Sequence, residues 1–214
     1  MTRKIKGNPP AIFLHIPRTG GTFIEEALKV CYVKTSRFVK NKTREGLSVP
    51  KKHILKKHFR PEAIKKVDHF FAFVRDPADY YPSVWAWLQK HSSEKIFDWD
   101  WHPFFEAYAS WDEDFNHWAM KMTRNEPGWA YRLFEAYCGP KHNPICSYVG
   151  KTETISEDFC EFAGQILYYD TKGWPRILEE LGKKNVAKRT LPQWKPYVLD
   201  AVIESEAAFY QRWG

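Results

Sequence analysis

The sequence has few cysteines, and they lie far apart. Four occur in 214 residues, at Cys31, Cys138, Cys146 and Cys160. They are too few and too widely spaced for a disulfide-built scaffold, and they lack the paired short spacing of a zinc site. We therefore expect free, buried thiols, no bound metal, and a core large enough to fold without either kind of cross-link.

The sequence also lacks a long hydrophobic run. No apolar stretch reaches the length of a membrane span, and the N-terminal residues lack the apolar stretch of a signal peptide. We expect a cytoplasmic protein with no membrane span. Internal repeats, low-complexity segments and evident linkers are missing as well, which predicts a single domain over residues 1–214.

Positive charge and aromatic side chains are abundant. The formal net charge is +7 and the isoelectric point is near 9.1, which indicates an anionic partner. Nucleic acid, a nucleotide phosphate and an acidic glycan all fit that charge. Several tryptophans could either stack on sugar rings or pack helices onto a sheet. These are Trp85, Trp87, Trp99, Trp101 and Trp111.

The first half of the chain alternates apolar runs with helical patterns. Residues 11–15 and 70–74 are short apolar runs typical of buried strands. Helices are predicted over 22–30 and 78–90, and Pro82 predicts a kink or a late start in the second. Strand, glycine turn and helix in this order indicate an α/β domain.

The second half continues the same alternation. We predict a third strand over 145–149 and a helix that begins with a capping box at Thr154. A short helix over 175–181 should end at Gly182, and the tail from Pro196 should be helical.

Residues 15–22, with the sequence HIPRTGGT, form the turn between the first strand and the first helix. Such a turn directs backbone N–H groups and the positive end of the helix dipole at one point, which suits an anion. Gly20 and Gly21 would let the backbone approach a phosphate, Thr19 and Thr22 would add hydroxyl donors, and Arg18 would add a cation. The simpler alternative is a tight turn with a surface arginine. The Gly-Lys-Ser/Thr of a Walker loop is missing.

Residues 15–22 resemble the 5′-phosphosulfate loop of the sulfotransferases that use 3′-phosphoadenosine 5′-phosphosulfate (PAPS). The likeness is greatest to the glycan-modifying branch, which includes the heparan sulfate 6-O- and 2-O-sulfotransferases. Residues 73–77 followed by Ser83 resemble the 3′-phosphate motif of that family, and residues 148–153 resemble a downstream strand-to-loop segment. Arg75 and Ser83 are separated by just over two helical turns, so both can face one phosphate.

The resemblance implies a P-loop-like, three-layer α/β domain with a central parallel sheet flanked by helices. It implies a metal-free transferase that moves the sulfuryl group of PAPS to a hydroxyl, with Arg18 stabilising the leaving oxygen. The chain departs from the family at Arg18, where many members carry Lys, and at Tyr80, where an Arg often precedes the serine. The implied nucleotide-binding residues are Pro17, Arg18, Thr19, Gly20, Gly21, Thr22, Phe23, Arg75, Ser83 and Arg189.

The resemblance also selects a catalytic base. His58 lies between the two motifs, where the glycan 6-O-sulfotransferases carry their catalytic histidine, and an imidazole can accept a proton near neutral pH. His53 is the second choice, and a carboxylate at Glu25 or Glu26 is a further alternative. We expect His15 to pack against the loop or to orient it.

The acceptor and the rival functions stay open. The expected partners are PAPS, its product PAP and a hydroxyl acceptor such as a carbohydrate, without specific nucleic acid binding. One rival is a phosphotransferase that uses ATP and Mg²⁺, for which Asp76 is the strand-end carboxylate. The other is a non-enzymatic module that binds polyanions through the basic and aromatic surface.

Overall fold

The computed structural model describes residues 11–31, 33, 37–38, 69–91, 104–185 and 191–214. These residues form a mixed helix and sheet structure. The strands are β1 (Ala11–Phe13), β2 (Arg37–Phe38), β3 (His69–Val74) and β4 (Tyr148–Lys151). The helices are α1 (Gly21–Val30), α2 (Pro77–His91), α3 (Phe105–Ala109), α4 (Phe115–Asn125), α5 (Trp129–Cys138), α6 (Ile155–Glu161), α7 (Trp174–Asn185), α8 (Pro196–Ser205) and α9 (Ala207–Trp213), with a π-helical turn at Phe162–Ile166.

The described strands form one sheet in the order β2–β1–β3–β4, with every pair parallel. Phe13 pairs with Phe71, and Phe71 in turn pairs with Tyr148. Parallel neighbours require crossover connections, and their carboxyl ends share one edge of the sheet. The segments that follow β1, β3 and β4 are therefore neighbours in space.

Side chains of β3 alternate between two cores because successive residues of a strand point to opposite faces. Phe71 and Phe73 belong to one core, and Ala72 and Val74 belong to the other. All four are fully buried. The apolar run that predicted this strand is thus continuous because both faces of the sheet are covered.

The core on the Phe71 side, here called the first core, joins the sheet to α1, α6, the π-helical turn and α7. The core on the Ala72 side, the second core, joins it to α2, α4, α5, α8 and α9. Trp118 and Trp129 are fully buried in the second core, while Trp85 stacks on Trp111 at a centroid distance of 5.8 Å. These tryptophans pack helices, and Trp99 and Trp101 lie outside the described residues.

Most predicted elements are confirmed, with shifted ends. The third strand begins at Tyr148 instead of residue 145, since the N–H groups of Ile145 and Cys146 donate to the Cys138 carbonyl and close the turn after α5. Helix α7 begins at Trp174 and runs to Asn185. It passes through Gly182, where the prediction ended it.

The predicted capping box at Thr154 is wrong. Thr154 precedes α6, but its side chain makes no hydrogen bond to the first backbone N–H groups of the helix. Its hydroxyl instead donates to Asp158 Oδ2 at 3.1 Å, and the same oxygen accepts from the Lys151 N–H at 2.5 Å. Asp158 thereby ties the start of α6 to the end of β4.

Helix α2 continues through Pro82, without the late start that the sequence allowed. A proline has no N–H, so Pro82 cannot donate to the carbonyl four residues earlier, at Ala78. Trp194 Nε1 donates to that Ala78 oxygen at 2.9 Å. A side chain from the C-terminal segment therefore replaces the missing helical hydrogen bond.

Candidate functional site

The carboxyl edge of the sheet brings the predicted motifs together. The Leu14 N–H donates to the Phe71 carbonyl at 2.8 Å as the chain leaves β1. At the other side of β3, Thr152 binds the Val74 carbonyl with its N–H and with its hydroxyl, at 2.8 and 2.9 Å. The segments that follow β1, β3 and β4 therefore begin at the same edge of the sheet, where these hydrogen bonds hold them.

The turn from Pro17 to Gly20 is folded by its own polar groups. Thr19 is fully buried, and its hydroxyl donates to the Ile16 carbonyl at 2.9 Å. Thr19 therefore shapes the turn in this structure, instead of offering that proton to a ligand. Gly20 takes a left-handed conformation at φ 79° and precedes α1.

Neither glycine has free space at its Cβ position as the side chains stand. A Cβ on Gly20 would collide with the Ile155 side chain, and a Cβ on Gly21 would collide with the His15 imidazole. Packing thus gives a reason for these glycines that the sequence did not indicate, and the approach of the backbone to a phosphate stays a prediction. His15 packs against the loop, as the sequence analysis expected.

The first turn of α1 supplies the predicted backbone donors. The first intrahelical bond runs from the Ile24 N–H to the Gly20 carbonyl at 3.1 Å, so the N–H groups of Gly21, Thr22 and Phe23 precede it. Thr22 is exposed, whereas the Phe23 side chain is buried in the first core. Phe23 can therefore meet a nucleotide only through its backbone.

The second motif contacts the first directly. Arg75 follows β3, and its Nη1 donates to the Arg18 carbonyl at 3.4 Å. Arg18 Nε donates to Ser83 Oγ at 3.0 Å across 65 residues of sequence. Ser83 itself is only 2% exposed on α2. The second motif thus contacts the first at two points, the Arg18 carbonyl and the Arg18 side chain.

The Nε of Arg75 is a buried donor. It is shielded from solvent and, among the described residues, has no hydrogen-bond partner. Leaving a buried donor unsatisfied costs roughly 1–3 kcal/mol, and more when the group is charged. An anion that binds Arg75 would supply the missing acceptor.

Tyr80 is a member of the site that the sequence analysis noted only as a departure from the family. It is fully buried, and its hydroxyl donates to the Pro17 carbonyl at 3.2 Å. Burial raises the pKa of Tyr80 well above its ordinary value, with Tyr137 adding to the rise and Arg18 and Arg75 opposing it. Tyr80 therefore stays protonated and ties the loop to α2.

Asp76 is held by groups that no sequence pattern indicated. Its Oδ1 accepts from the Ala78 N–H at 2.8 Å and from the Tyr210 hydroxyl at 2.9 Å. Its own N–H donates to Glu153 Oε1 at 3.0 Å, so the third predicted segment also contacts the second motif. Tyr210 lies 134 residues away in sequence, which is why local spacing could not reveal it.

Of the remaining candidates, Glu25 and Glu26 lie on α1, and the others fall outside the described ranges. His58, His53 and Arg189 are among them, together with Lys188 and Thr190 of the same basic segment. Within the described ranges, no group of three His, Cys, Asp or Glu side chains could hold a metal ion, and no helix is long and apolar enough to cross a membrane.

Comparison of the chain with protein-family models, with curated proteins and with solved structures gave no match. The sulfotransferase resemblance therefore rests on the quoted motifs.

Proposed function

We propose that this protein is a sulfotransferase, which moves the sulfuryl group of PAPS to a hydroxyl acceptor such as a carbohydrate. The hydrogen bond from Arg18 Nε to Ser83 Oγ carries the proposal, because it joins the two motifs that resemble the phosphate-binding elements of that family. We also propose the finer fold, a three-layer P-loop-like domain. A parallel sheet with helix-bearing cores on both faces supports it.

The reaction is an in-line displacement at sulfur. The acceptor oxygen forms a bond to sulfur while the bond between sulfur and the bridging phosphate oxygen breaks, which leaves PAP. The acceptor loses its proton to a base, for which we propose His58. Negative charge grows on the bridging oxygen, and the N–H groups at the start of α1 would stabilise it.

The ATP-dependent alternative needs a carboxylate for Mg²⁺. Asp76 is the candidate, but its Oδ1 already accepts two hydrogen bonds. No observation on the described residues favours this alternative or the polyanion-binding one over sulfuryl transfer.

Calorimetric titration with PAP tests the proposal. We expect wild type to bind PAP, and Arg75→Met to bind it at least about 10-fold more weakly, since a charge-assisted hydrogen bond is lost. Arg124→Met is the matched control, because it removes an exposed arginine of α4 and the same charge. Binding of ATP with Mg²⁺ but not of PAP would contradict the proposal.

His58→Ala separates binding from chemistry. This variant should bind PAP like wild type and should lose sulfuryl transfer from PAPS to a glycan acceptor. Loss of PAP binding would instead place His58 in the nucleotide site and remove it as the base.

A further inference from the structure

We propose that Tyr210 is a positioning residue, which holds the Asp76 carboxylate away from Arg75 and so keeps the Arg75 guanidinium available for an anionic group of the nucleotide. Arg75 and Asp76 are consecutive in sequence, and a carboxylate forms strong charge-assisted hydrogen bonds with a guanidinium. If the two side chains paired, an anion could bind Arg75 only by displacing the carboxylate. This inference rests on the proposed function.

The side chains of Arg75 and Asp76 have different partners in this structure. Arg75 Nη1 donates to the Arg18 carbonyl at 3.4 Å, and the buried Nε has no partner among the described residues. Asp76 Oδ1 accepts from the Ala78 N–H at 2.8 Å and from the Tyr210 hydroxyl at 2.9 Å. The carboxylate is therefore bound by the first residues of α2 and by α9.

The Tyr210 hydroxyl supplies half of what holds Asp76 in this orientation. Without it, Oδ1 would keep one of its two donors, the Ala78 N–H. Arg75 offers the competing donor, and its unsatisfied buried Nε makes a nearby carboxylate favourable there, because an unpaired charged donor is costly. Loss of the hydroxyl should therefore let Asp76 turn towards Arg75.

Helix α9 fixes the place of Tyr210 through contacts that do not involve Asp76. Phe209 is only 3% exposed in the second core, and its ring packs on the Tyr210 ring with centroids 5.3 Å apart. Arg212 Nη2 donates to the Gly139 carbonyl at the end of α5, at 2.6 Å. The Tyr210 hydroxyl is therefore held in position to receive the carboxylate.

Tyr210 also keeps the proton that it donates. Burial raises the pKa of Tyr210 above its ordinary value, and the hydrogen bond to Asp76 and the charge of that carboxylate add to the rise. The hydroxyl is therefore protonated at neutral pH, where the carboxylate needs a donor.

The affinity for PAP in two backgrounds tests the role of Tyr210. Calorimetric titration measures the effect of Tyr210→Phe on wild type and on Asp76→Asn. Phenylalanine keeps the ring and removes only the hydroxyl, while asparagine keeps an oxygen for the Ala78 N–H but has no charge with which to pair Arg75. We expect Tyr210→Phe to weaken PAP binding about 5-fold or more in wild type and less than about 2-fold in the Asp76→Asn background.

Tyr148→Phe is the matched control. It removes a hydroxyl that donates to another carboxylate, Glu161 Oε2, at 3.1 Å, from a ring that packs against the first core. PAP affinity should stay at the wild-type value in this variant. Equal losses of affinity for Tyr210→Phe in both backgrounds, or no loss in either, would overturn the inference, because Tyr210 would then not act through the Asp76 carboxylate.

An unfolding measurement tests the same contact without a nucleotide. Urea denaturation gives the coupling between Arg75→Met and Asp76→Asn, once with Tyr210 present and once in Tyr210→Phe. We expect the coupling to be larger in Tyr210→Phe, because only there do the guanidinium and the carboxylate form an ion pair. The same coupling in both backgrounds would overturn the inference. Failure of wild type to bind PAP, with the larger coupling observed, would overturn the proposed function alone.

Discussion

At the scale of single residues, His15 connects the sheet to the first helix. Its ring stacks on Phe13 with centroids 5.6 Å apart, and its Nδ1 lies 3.8 Å from Glu25 Oε1. Burial lowers the pKa of His15 below its ordinary value of 6.5, and Glu25 partly opposes that effect. The folded chain therefore binds fewer protons at this site than the unfolded chain when the pH is near that value.

This difference predicts a pH dependence of stability. Since the unfolded state takes up the proton first, the contribution of His15 is fully present above its unfolded pKa and is lost as the pH falls through the folded pKa. The stability of wild type relative to His15→Gln should thus fall as the pH drops below about 6.5, by at most about 1.4 kcal/mol per pH unit. Urea denaturation followed by circular dichroism measures it.

His142→Gln is the control for that comparison, because it removes an exposed imidazole. A loss of the same size in the control, or a gain in the relative stability of wild type at low pH, would contradict the role given to His15.

The local structure of the loop was easier to predict than its long-range contacts. The sequence of the loop predicted a turn at Gly20 and Gly21 and a packing role for His15. That the imidazole fills the space beside Gly21 could not be predicted, because it depends on how the loop turns back on β1. The contact of Arg18 with Ser83 likewise depends on the order of strands, which local spacing does not determine.

At the scale of elements, α2 depends on the C-terminal segment. The carbonyl of Ala78 loses its helical donor because residue 82 is proline, and Trp194 Nε1 donates in its place. The proline rule correctly marked Pro82 as a break in hydrogen bonding. It did not predict a continuous helix, because the compensating donor lies 116 residues further on.

Paired variants test whether Trp194 Nε1 replaces the backbone N–H that Pro82 lacks. Trp194→Phe should destabilise the protein by about 1–3 kcal/mol, since it leaves the Ala78 carbonyl without its donor. The same change in a Pro82→Ala background should cost about 1 kcal/mol less, because replacing the proline restores a backbone N–H for that carbonyl. Urea denaturation gives the four free energies of the cycle. Equal costs of Trp194→Phe in both backgrounds would show that Trp194 contributes by packing alone.

At the scale of the whole molecule, Glu206 joins the link between α8 and α9 to α2 and α5. The residue lies between α8 and α9 with no exposed surface. Its carboxylate accepts from the Tyr81 hydroxyl on α2 at 2.8 Å, and from the N–H groups of Ala130 and Tyr131 in α5 at 2.9 Å each. Removal of this carboxylate leaves three donors without their acceptor in the second core.

The single domain over residues 1–214 stays a prediction. Glu206→Ala tests it, because destabilising one core of a single domain should destabilise the other core as well. We expect it to lower the free energy of unfolding by about 3 kcal/mol, whereas Glu204→Ala, an exposed carboxylate of α8, should change it by less than about 0.5 kcal/mol. Hydrogen exchange followed by mass spectrometry should show equal loss of protection in α1 and in α4, although only α4 contributes to the second core. Loss confined to α4 and α8 would indicate two units that unfold separately.

The class of the fold was predictable at this scale. Continuous apolar runs indicated strands buried on both faces, and β3 is buried in that way.

The parallel order of the strands has a consequence for how the chain reaches its native state. Before the sheet forms, β1 must pair with β3 at Phe13 and Phe71, and β3 must pair with β4 at Phe71 and Tyr148. Such a topology has a high contact order, which slows folding because long loops close before their contacts form. The pair Arg18 and Ser83, 65 residues apart, cannot assemble until β1 and β3 have paired. If that pair binds the proposed nucleotide, the nucleotide would act only on folded molecules and would slow unfolding more than it speeds folding.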